Sequence, residues 1–303
     1  MKIFYNYEKE IDLSLALGFF DGIHRGHKKV IENAVNFAKK NGLKSAVVSF
    51  VDHPSCFILN RKPEYIIPIE DKIEKIKNLG ADYLYLLNFD EKLKNLSKEQ
   101  YFDFLQNMTS PKAITTGFNH YFGKNKMGNT DFLENACSEA GIVYKKIEPV
   151  KAGEDIVSSS LIRKAIMSAD FEFAKTMTGY DFYIKGLVIK GSQTGQKMGY
   201  RTVNIKYPDN IIKIPYGVYC SQIQIDKKLY NSVTNWGIRP TITEYNEPVA
   251  ETHIFDFDEN IYAKPVKLVF LKKIREEQKF GSLDELKNQI SRDAEFCKNY
   301  FKS

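Results

Sequence analysis

Two periodicities divide this chain. From the N-terminus to about residue 179, short apolar runs alternate with segments whose apolar residues recur at helical spacing, the pattern of a parallel sheet covered by helices. Residues 13–19 read as a strand. Val30, Ile31, Ala34, Val35 and Ala38 then fall on one helical stripe, Asn41-Gly42 supplies a stop, and residues 45–50 read as the next strand. The same scheme predicts helices over 71–78, 98–107 and 131–139, strands over 83–87, 113–116 and 142–147, and paired short helices over 160–174 around Ala169-Asp170. Beyond Tyr180 the runs become short, β-branched and aromatic, at 183–189, 218–225, 232–236, 251–257 and 266–271, with Gly, Pro and Asn-rich turns between them. Such spacing predicts a small antiparallel barrel or sandwich. A last helix begins at Ser282, where Glu285 gives capping-box spacing. The expectation is an α/β, doubly wound domain over 1–179 followed by an antiparallel β domain with a C-terminal helix over 180–303, divided by a switch of period with no long linker.

Composition adds bounds. With 303 residues, 43% hydrophobic and 27% charged, the chain belongs among soluble globular proteins and has enough length for two cores. Lys+Arg of 44 against Asp+Glu of 38 gives +6, but Lys39, Lys40, Lys72, Lys75, Lys77, Lys92, Lys94 and Lys98 are scattered and read mostly as solvated helix faces. A nucleic-acid partner would need basic residues interleaved with aromatics on one surface, so none is expected; anionic phosphorylated metabolites suit a mildly basic protein. The first ten residues lack the apolar core of a signal peptide, and no run approaches the roughly 18 apolar residues of a membrane span. A cytoplasmic protein without a membrane partner is expected. Cys56, Cys137, Cys220 and Cys297 lie far apart with no C-x-x-C pairing, so they are read as reduced and structural.

The chemistry concentrates first in Gly18-Phe19-Phe20-Asp21-Gly22-Ile23-His24-Arg25-Gly26-His27, between a predicted strand and a predicted helix N-terminus. Parallel α/β sheets bind ligands at such places, and unpaired N–H groups with the helix dipole favour phosphate. His24 and His27, three apart, are placed to donate to a crowded phosphorus centre and stabilise developing negative charge. Capping histidines, or a metal-holding pair, are the competing readings.

H-x-G-H after a strand resembles the adenylyl- and cytidylyltransferase superfamily, and the longer string G-F-F-D-G-I-H-R-G-H resembles FMN adenylyltransferases. Phe50-Val51-Asp52-His53-Pro54 is similar to that family's second element, and residues 116–123, T-G-F-N-H-Y-F-G, to its third. Val157-Ser158-Ser159-Ser160-Leu161-Ile162-Arg163 resembles the element whose hydroxyls and Arg hold ATP phosphates. The resemblance implies a Rossmann-like nucleotidyltransferase domain. Its ATP contacts would be Gly18, Phe19, Asp21, Gly22, His24, His27, Ser158, Ser159 and Arg163, and its FMN contacts His53, Pro54 and Asn119. Read alone, Ser158 to Ser160 is as well explained by a helix cap.

The second half resembles riboflavin kinase, through Lys185-Gly186-Leu187-Val188-Ile189-Lys190-Gly191, residues 195–205, Pro215-Tyr216-Gly217-Val218-Tyr219, residues 235–241 and Glu251-Thr252-His253. Arg275, Glu277 and Phe280 fit its flavin-side segment. By that resemblance Gly186, Gly191, Gly195, Thr202 and Asn204 bind ATP, Thr202 and Asn204 hold Mg2+, and Glu251, Arg275 and Phe280 face riboflavin, with Glu251 as general base. Without the resemblance Glu251 is an ordinary strand residue and Thr202 and Asn204 are turn residues.

Together the halves resemble the bacterial bifunctional riboflavin kinase/FMN adenylyltransferases, which implies ATP-dependent phosphorylation of riboflavin to FMN and adenylylation of FMN to FAD with pyrophosphate release. Five positions depart from the family pattern: Arg201 for Pro, Val203 for Ala, Gln196 for Arg, Lys126 for Arg and Asn129 for Asp. Arg201 lacks proline's fixed φ and Lys126 lacks a guanidinium's bidentate grip. The departures in the kinase loop leave one alternative, a monofunctional FMN adenylyltransferase whose barrel is inactive or only binds flavin. The sequence leaves open whether the chain forms a homo-oligomer.

Overall fold

The computed structural model describes residues 1–189, 202–238 and 248–302. They form two compact units, Met1–Ser159 and Ser160–Ser303.

The first unit is a six-stranded sheet in the order β1-β4-β3-β2-β5-β6, parallel throughout. Its strands are β1 (Lys2–Phe4), β2 (Leu13–Leu17), β3 (Lys44–Phe50), β4 (Tyr83–Leu87), β5 (Ala113–Gly117) and β6 (Val143–Ile147). The central strand β2 is buried along its whole length, as a two-sided parallel sheet requires. The predicted helical stripe forms α1 (Arg25–Lys40), whose buried residues are Val30, Ile31, Ala34, Val35 and Ala38. Helices α2 (Pro54–Ile58), α3 (Ile69–Asn78), α4 (Glu91–Asn95), α5 (Lys98–Thr109) and α6 (Thr130–Glu139) follow in chain order. Ser97 and Gln100 close a reciprocal capping box on α5. A short hairpin, β7 (Lys151–Ala152) with β8 (Asp155–Ile156), precedes the last element. From β2 the chain steps through β3 to β4 on one side, then returns to place β5 on the other. The switch point of the sheet therefore lies between the ends of β2 and β5, where such sheets bind ligands.

The second unit opens with α7 (Ser159–Met167, from its second residue) and α8 (Phe171–Thr178), the expected helix pair. Six antiparallel strands then close a barrel in the order β10-β13-β12-β11-β14-β9. They are β9 (Tyr183–Ile189), β10 (Thr202–Lys206), β11 (Gly217–Ile225), β12 (Lys228–Ile238), β13 (Pro248–Ile254) and β14 (Pro265–Arg275). The strand expected over 251–257 ends at Ile254, because Asp256 adopts φ 54 and turns the chain. Strand β10 had no counterpart in the periodicity. Phe171 stacks on Phe182 at 5.8 Å and both lie near Phe270, which binds α8 to the barrel. Inside the barrel, Ser221, Ser232, Thr234 and Thr252 satisfy one another through hydroxyl contacts of 2.7–2.9 Å, so these fully buried polar groups are paired. Helix α9 (Leu283–Tyr300) starts at Ser282, which caps Glu285 N–H, and Glu285 reaches back to Gly281 N–H rather than to Ser282.

All four cysteines are free; Cys137, Cys220 and Cys297 are buried, and the Cys220 and Cys297 sulfurs meet at 2.8 Å between β11 and α9. No helix among the described residues is long and apolar enough to cross a membrane.

Candidate active sites

The first site grows from the loop between β2 and α1. Phe20, Gly22 and Ile23 all adopt positive φ, at 59, 75 and 38, a concentration of left-handed backbone that two residues with β-carbons tolerate only when their surroundings hold them. Gly22 suits its conformation, and a β-carbon on Gly18 would come within 2.8 Å of the Phe20 ring. Five anchors hold the loop. Gly18 N–H donates to Val48 O, Ser49 Oγ and Lys72 Nζ donate to Phe19 O, the buried Asp21 carboxylate accepts Ile66 N–H at 3.1 Å, and Ser159 Oγ donates to Asp21 O at 3.1 Å. Asp21, expected at ATP, thus has its carboxylate turned onto the chain as a brace. Ser159, at the start of α7, is brought to the same loop.

His24 is the N-cap of α1: its Nδ1 accepts the N–H groups of Gly26 and His27 at 3.1 and 3.2 Å. That assignment leaves the proton of the neutral ring on Nε2. His27 stacks on His24 with ring centres 3.5 Å apart, and its Nδ1 is buried with no hydrogen-bond partner among the described residues. Capping and phosphate donation are therefore compatible in His24, one through each nitrogen. Among the described residues no cluster of three or more His, Cys, Asp or Glu is arranged to hold a metal.

Burial holds the His24 imidazole down to about 4, and burial, then the neighbouring His24 and Lys72, hold His27 well below its ordinary range. The folded chain then binds fewer protons at His24 than the unfolded chain between about pH 4 and about pH 6.5. Stability from this group is complete above the upper value and is lost as pH falls toward the lower one, by ~3 kcal/mol. Thermal unfolding followed from pH 6.5 to pH 4 should show a falling transition temperature, and a shallower fall in His24→Asn, which retains a capping oxygen. Equal slopes would remove His24 as the source.

The second element follows β3. His53 caps α2, with Nδ1 accepting Ser55 N–H at 3.1 Å, and Pro54 occupies the first helical turn. The Phe19 ring meets the His53 ring edge-on at 4.7 Å, which joins the first two elements. Tyr65 donates to Asp52 at 2.6 Å. The third element follows β5, across the switch point: Asn119 is exposed, while the half-buried His120 has an Nε2 without a hydrogen-bond partner among the described residues and stacks on Phe122. Asn129, one of the departures, caps α6 by accepting Phe132 N–H. Ser158 and Arg163 are half-buried, and Arg163 lies four residues beyond Ser159, on the same face of α7.

Lys72 was expected on a solvated face. It is 3% exposed, and its ammonium donates to Phe19 O, Ser49 Oγ and Phe50 O at 2.9–3.0 Å. The signal was present in the sequence: Lys72 sits three residues after Ile69 and four before Ile76, on the apolar stripe of α3.

The second site lies on the barrel. Thr202 and Asn204, two apart on β10, share a face; Asn204 is directly opposite Glu251 on β13, and Glu251 is opposite Asn235 on β12. Thr202 Oγ1 donates to Glu251 Oε1 at 2.8 Å, and Asn204 is 3% exposed. Strand pairing thus gathers a hydroxyl, two amides and a carboxylate, hard oxygen donors of the kind Mg2+ takes. Gly186 on β9 lets β10 approach: a β-carbon there would lie 2.7 Å from Lys206 O. Gly191, Gly195, Gln196, Arg201, Arg239, Pro240 and Thr241 lie outside the described residues. Arg275 is committed to Asp293, with Nε and the terminal nitrogen donating to the carboxylate at 2.7–3.1 Å, and it clamps β14 to α9; its Cζ is 5.9 Å from the centre of the half-buried Phe280 ring. Glu277 covers Gly237 and accepts weakly from Asn235, a contact the sequence did not suggest.

Comparison with known proteins matches each site to a family. A family model described as FAD synthetase matches residues 7–161, and one described as riboflavin kinase matches residues 178–301. The bifunctional riboflavin kinase/FMN adenylyltransferase of Bacillus subtilis (strain 168) is 35% identical over 301 residues, covering 97% of this chain and 94% of that protein. The protein of the same description from Buchnera aphidicola subsp. Schizaphis graminum (strain Sg) is 32% identical over 293 residues, covering 95% and 94%. A crystal structure described as a macrolide-efflux protein from Streptococcus pneumoniae shares the fold, with a TM-score of 0.85 at 27% identity over 98% of both chains. Efflux is that protein's description. Two family segments in succession, each containing one of the two polar constellations, in a chain that aligns almost end to end with bifunctional relatives, place this chain in the bifunctional riboflavin kinase/FMN adenylyltransferase family.

Proposed function

We propose that this chain makes FAD from riboflavin in two ATP-dependent steps, phosphorylation within residues 180–303 and adenylyl transfer within residues 1–179. The observation that carries the reading is the near end-to-end match to bifunctional relatives, with each family segment holding its own polar constellation. The monofunctional alternative is not favoured, since a riboflavin kinase family model matches 178–301 despite the altered loop.

In the first step the ribityl 5'-hydroxyl oxygen of riboflavin bonds to the γ-phosphorus of ATP, ADP leaves, and Glu251 takes the hydroxyl proton. Thr202, hydrogen-bonded to Glu251, and Asn204 beside it are the residues we assign to Mg2+ and the phosphates, together with Gly186, Gly191 and Gly195. The ion, when bound, neutralises phosphate charge. Phe280 would face the flavin, and Arg275 would hold that segment in place through Asp293.

In the second step a phosphate oxygen of FMN bonds to the α-phosphorus of ATP as the bond to pyrophosphate breaks. The nucleophile is already anionic, so neither a covalent enzyme intermediate nor a base is required. His24 Nε2–H and His27 would donate to the transferred group, the loop from Gly18 to Gly22 with Ser158, Ser159 and Arg163 would hold ATP, and His53, Pro54 and Asn119 would meet FMN. ATP as co-substrate of both steps suits a cytoplasmic protein, and no role is assigned to nucleic acid.

Purified protein with riboflavin, ATP and Mg2+, followed by chromatography of the flavins, should show riboflavin passing through FMN to FAD. Conversion of supplied FMN alone, with riboflavin untouched, would instead establish an inactive kinase module.

A further inference from the structure

We infer that Lys72 is a positioning residue for adenylyl transfer, a buried cation that fixes the phosphate-facing loop after β2 against the flavin-facing element after β3. The inference rests on the adenylyl-transfer reading of the first site and adds to it a residue that neither motif contains.

The ammonium reaches both elements at once. It donates to Phe19 O in the loop after β2, and to Ser49 Oγ and Phe50 O at the end of β3, with distances of 2.9, 3.0 and 3.0 Å. Ser49 Oγ donates to the same Phe19 carbonyl at 2.9 Å, so the three groups form one closed polar knot. All three ammonium hydrogens are used, which is how a cation survives at 3% exposure. The ammonium also sits 4.1 Å from the centre of the Phe19 ring, whose far edge meets His53. Phe19 is thus held by its carbonyl and by its ring, and through it the first and second elements keep one spacing. The next residue, Phe20, is left-handed and begins the strained turn that delivers His24 and His27.

Charge gives Lys72 a second effect. The charged and titratable groups that face it are Asp21 after β2, Asp52 after β3, and His27 on α1; Asp52 is itself tied to Tyr65. Burial lowers the Lys72 ammonium to about 7, against the pull of Asp21 and Asp52, and its positive charge helps burial and His24 to keep His27 neutral. A purely structural bolt would fix the loop without setting the protonation of His27.

The test is Lys72→Met in the full chain, assayed for both activities. Conversion of supplied FMN to FAD should fall at least tenfold in kcat, riboflavin phosphorylation should stay within twofold, and the acid limb of the FMN-to-FAD pH profile should move to higher pH as His27 loses a repelling neighbour. FAD formation within twofold of wild type overturns the inference, and so does a loss whose pH profile is unmoved, which assigns Lys72 to folding alone. Should Lys72→Met fail to fold, Lys72→Gln keeps a donor without the charge; it should retain the fold yet show the same displaced acid limb, and an undisplaced limb overturns the inference. A wild-type chain that makes no FAD from FMN removes the adenylyl-transfer reading itself, a result that does not depend on either variant.

Discussion

His27→Ala should lower FAD formation from supplied FMN by about 100- to 1000-fold while leaving FMN formation from riboflavin unchanged. The magnitude is that of removing one donor aimed at developing charge in a water-poor site. His27 is suited to such a role because its ring is packed between His24 and the edge of Phe20, at 3.5 and 5.3 Å between centres, so it is oriented before substrate arrives. Its buried Nδ1 has no hydrogen-bond partner among the described residues. A protein seldom strands such an atom without a use for it. The kinase activity of the same polypeptide serves as the internal control, because its polar constellation is built on separate strands, β10, β12 and β13. Flavin chromatography reads both products in one run. Loss of both products from a folded variant would contradict independent sites, and a loss below tenfold in FAD formation would remove His27 from the reacting centre.

How far the sequence carried the fold can be argued from particular residues. The five core positions of α1 were legible because an amphipathic helix writes its buried face at a fixed period, and the loop from Gly18 to His27 was legible because its chemistry is local. Strand β10 was not, since its inward and outward positions alternate as Val203 and Ile205 against Thr202, Asn204 and Lys206, and Asn204 is a buried polar residue at the place where function departs from patterning. The compact units divide between Ser159 and Ser160, whereas the period changes near residue 179. Periodicity reports what an element is, and the core it joins is decided by contacts such as Phe171 on Phe182. Arg275 with Asp293 joins residues 18 apart in sequence, on a strand and a helix, and no local pattern announces that pair. Lys72 was misread for a different reason: among Lys72, Lys75 and Lys77 the charge looks uniform, and only the register of α3 separates the buried one from its neighbours.

Glu251→Gln should be the mirror image of His27→Ala, lowering riboflavin phosphorylation by about 100- to 10,000-fold, the usual range for removing a general base, and sparing the conversion of FMN to FAD. The substitution is nearly isosteric, and the Gln side-chain oxygen can still accept the hydrogen bond that Thr202 now gives Glu251 at 2.8 Å. Strand register is carried by backbone pairing of Glu251 with Asn204 and Asn235, which the change does not touch. What is lost is the ability to take a proton from the ribityl hydroxyl, so the deficit should lie in kcat for riboflavin with little change in KM for ATP. The barrel contains no neighbouring carboxylate on the same pair of strands to take over that task, because the residue two positions along β13 is His253 and those facing it on β10 and β12 are Thr202 and Val233. Steady-state rates with riboflavin and with FMN on the same preparation decide the matter. A kinase rate within tenfold of wild type would move the base elsewhere, and an equal fall in both reactions would make Glu251 a structural residue of the barrel.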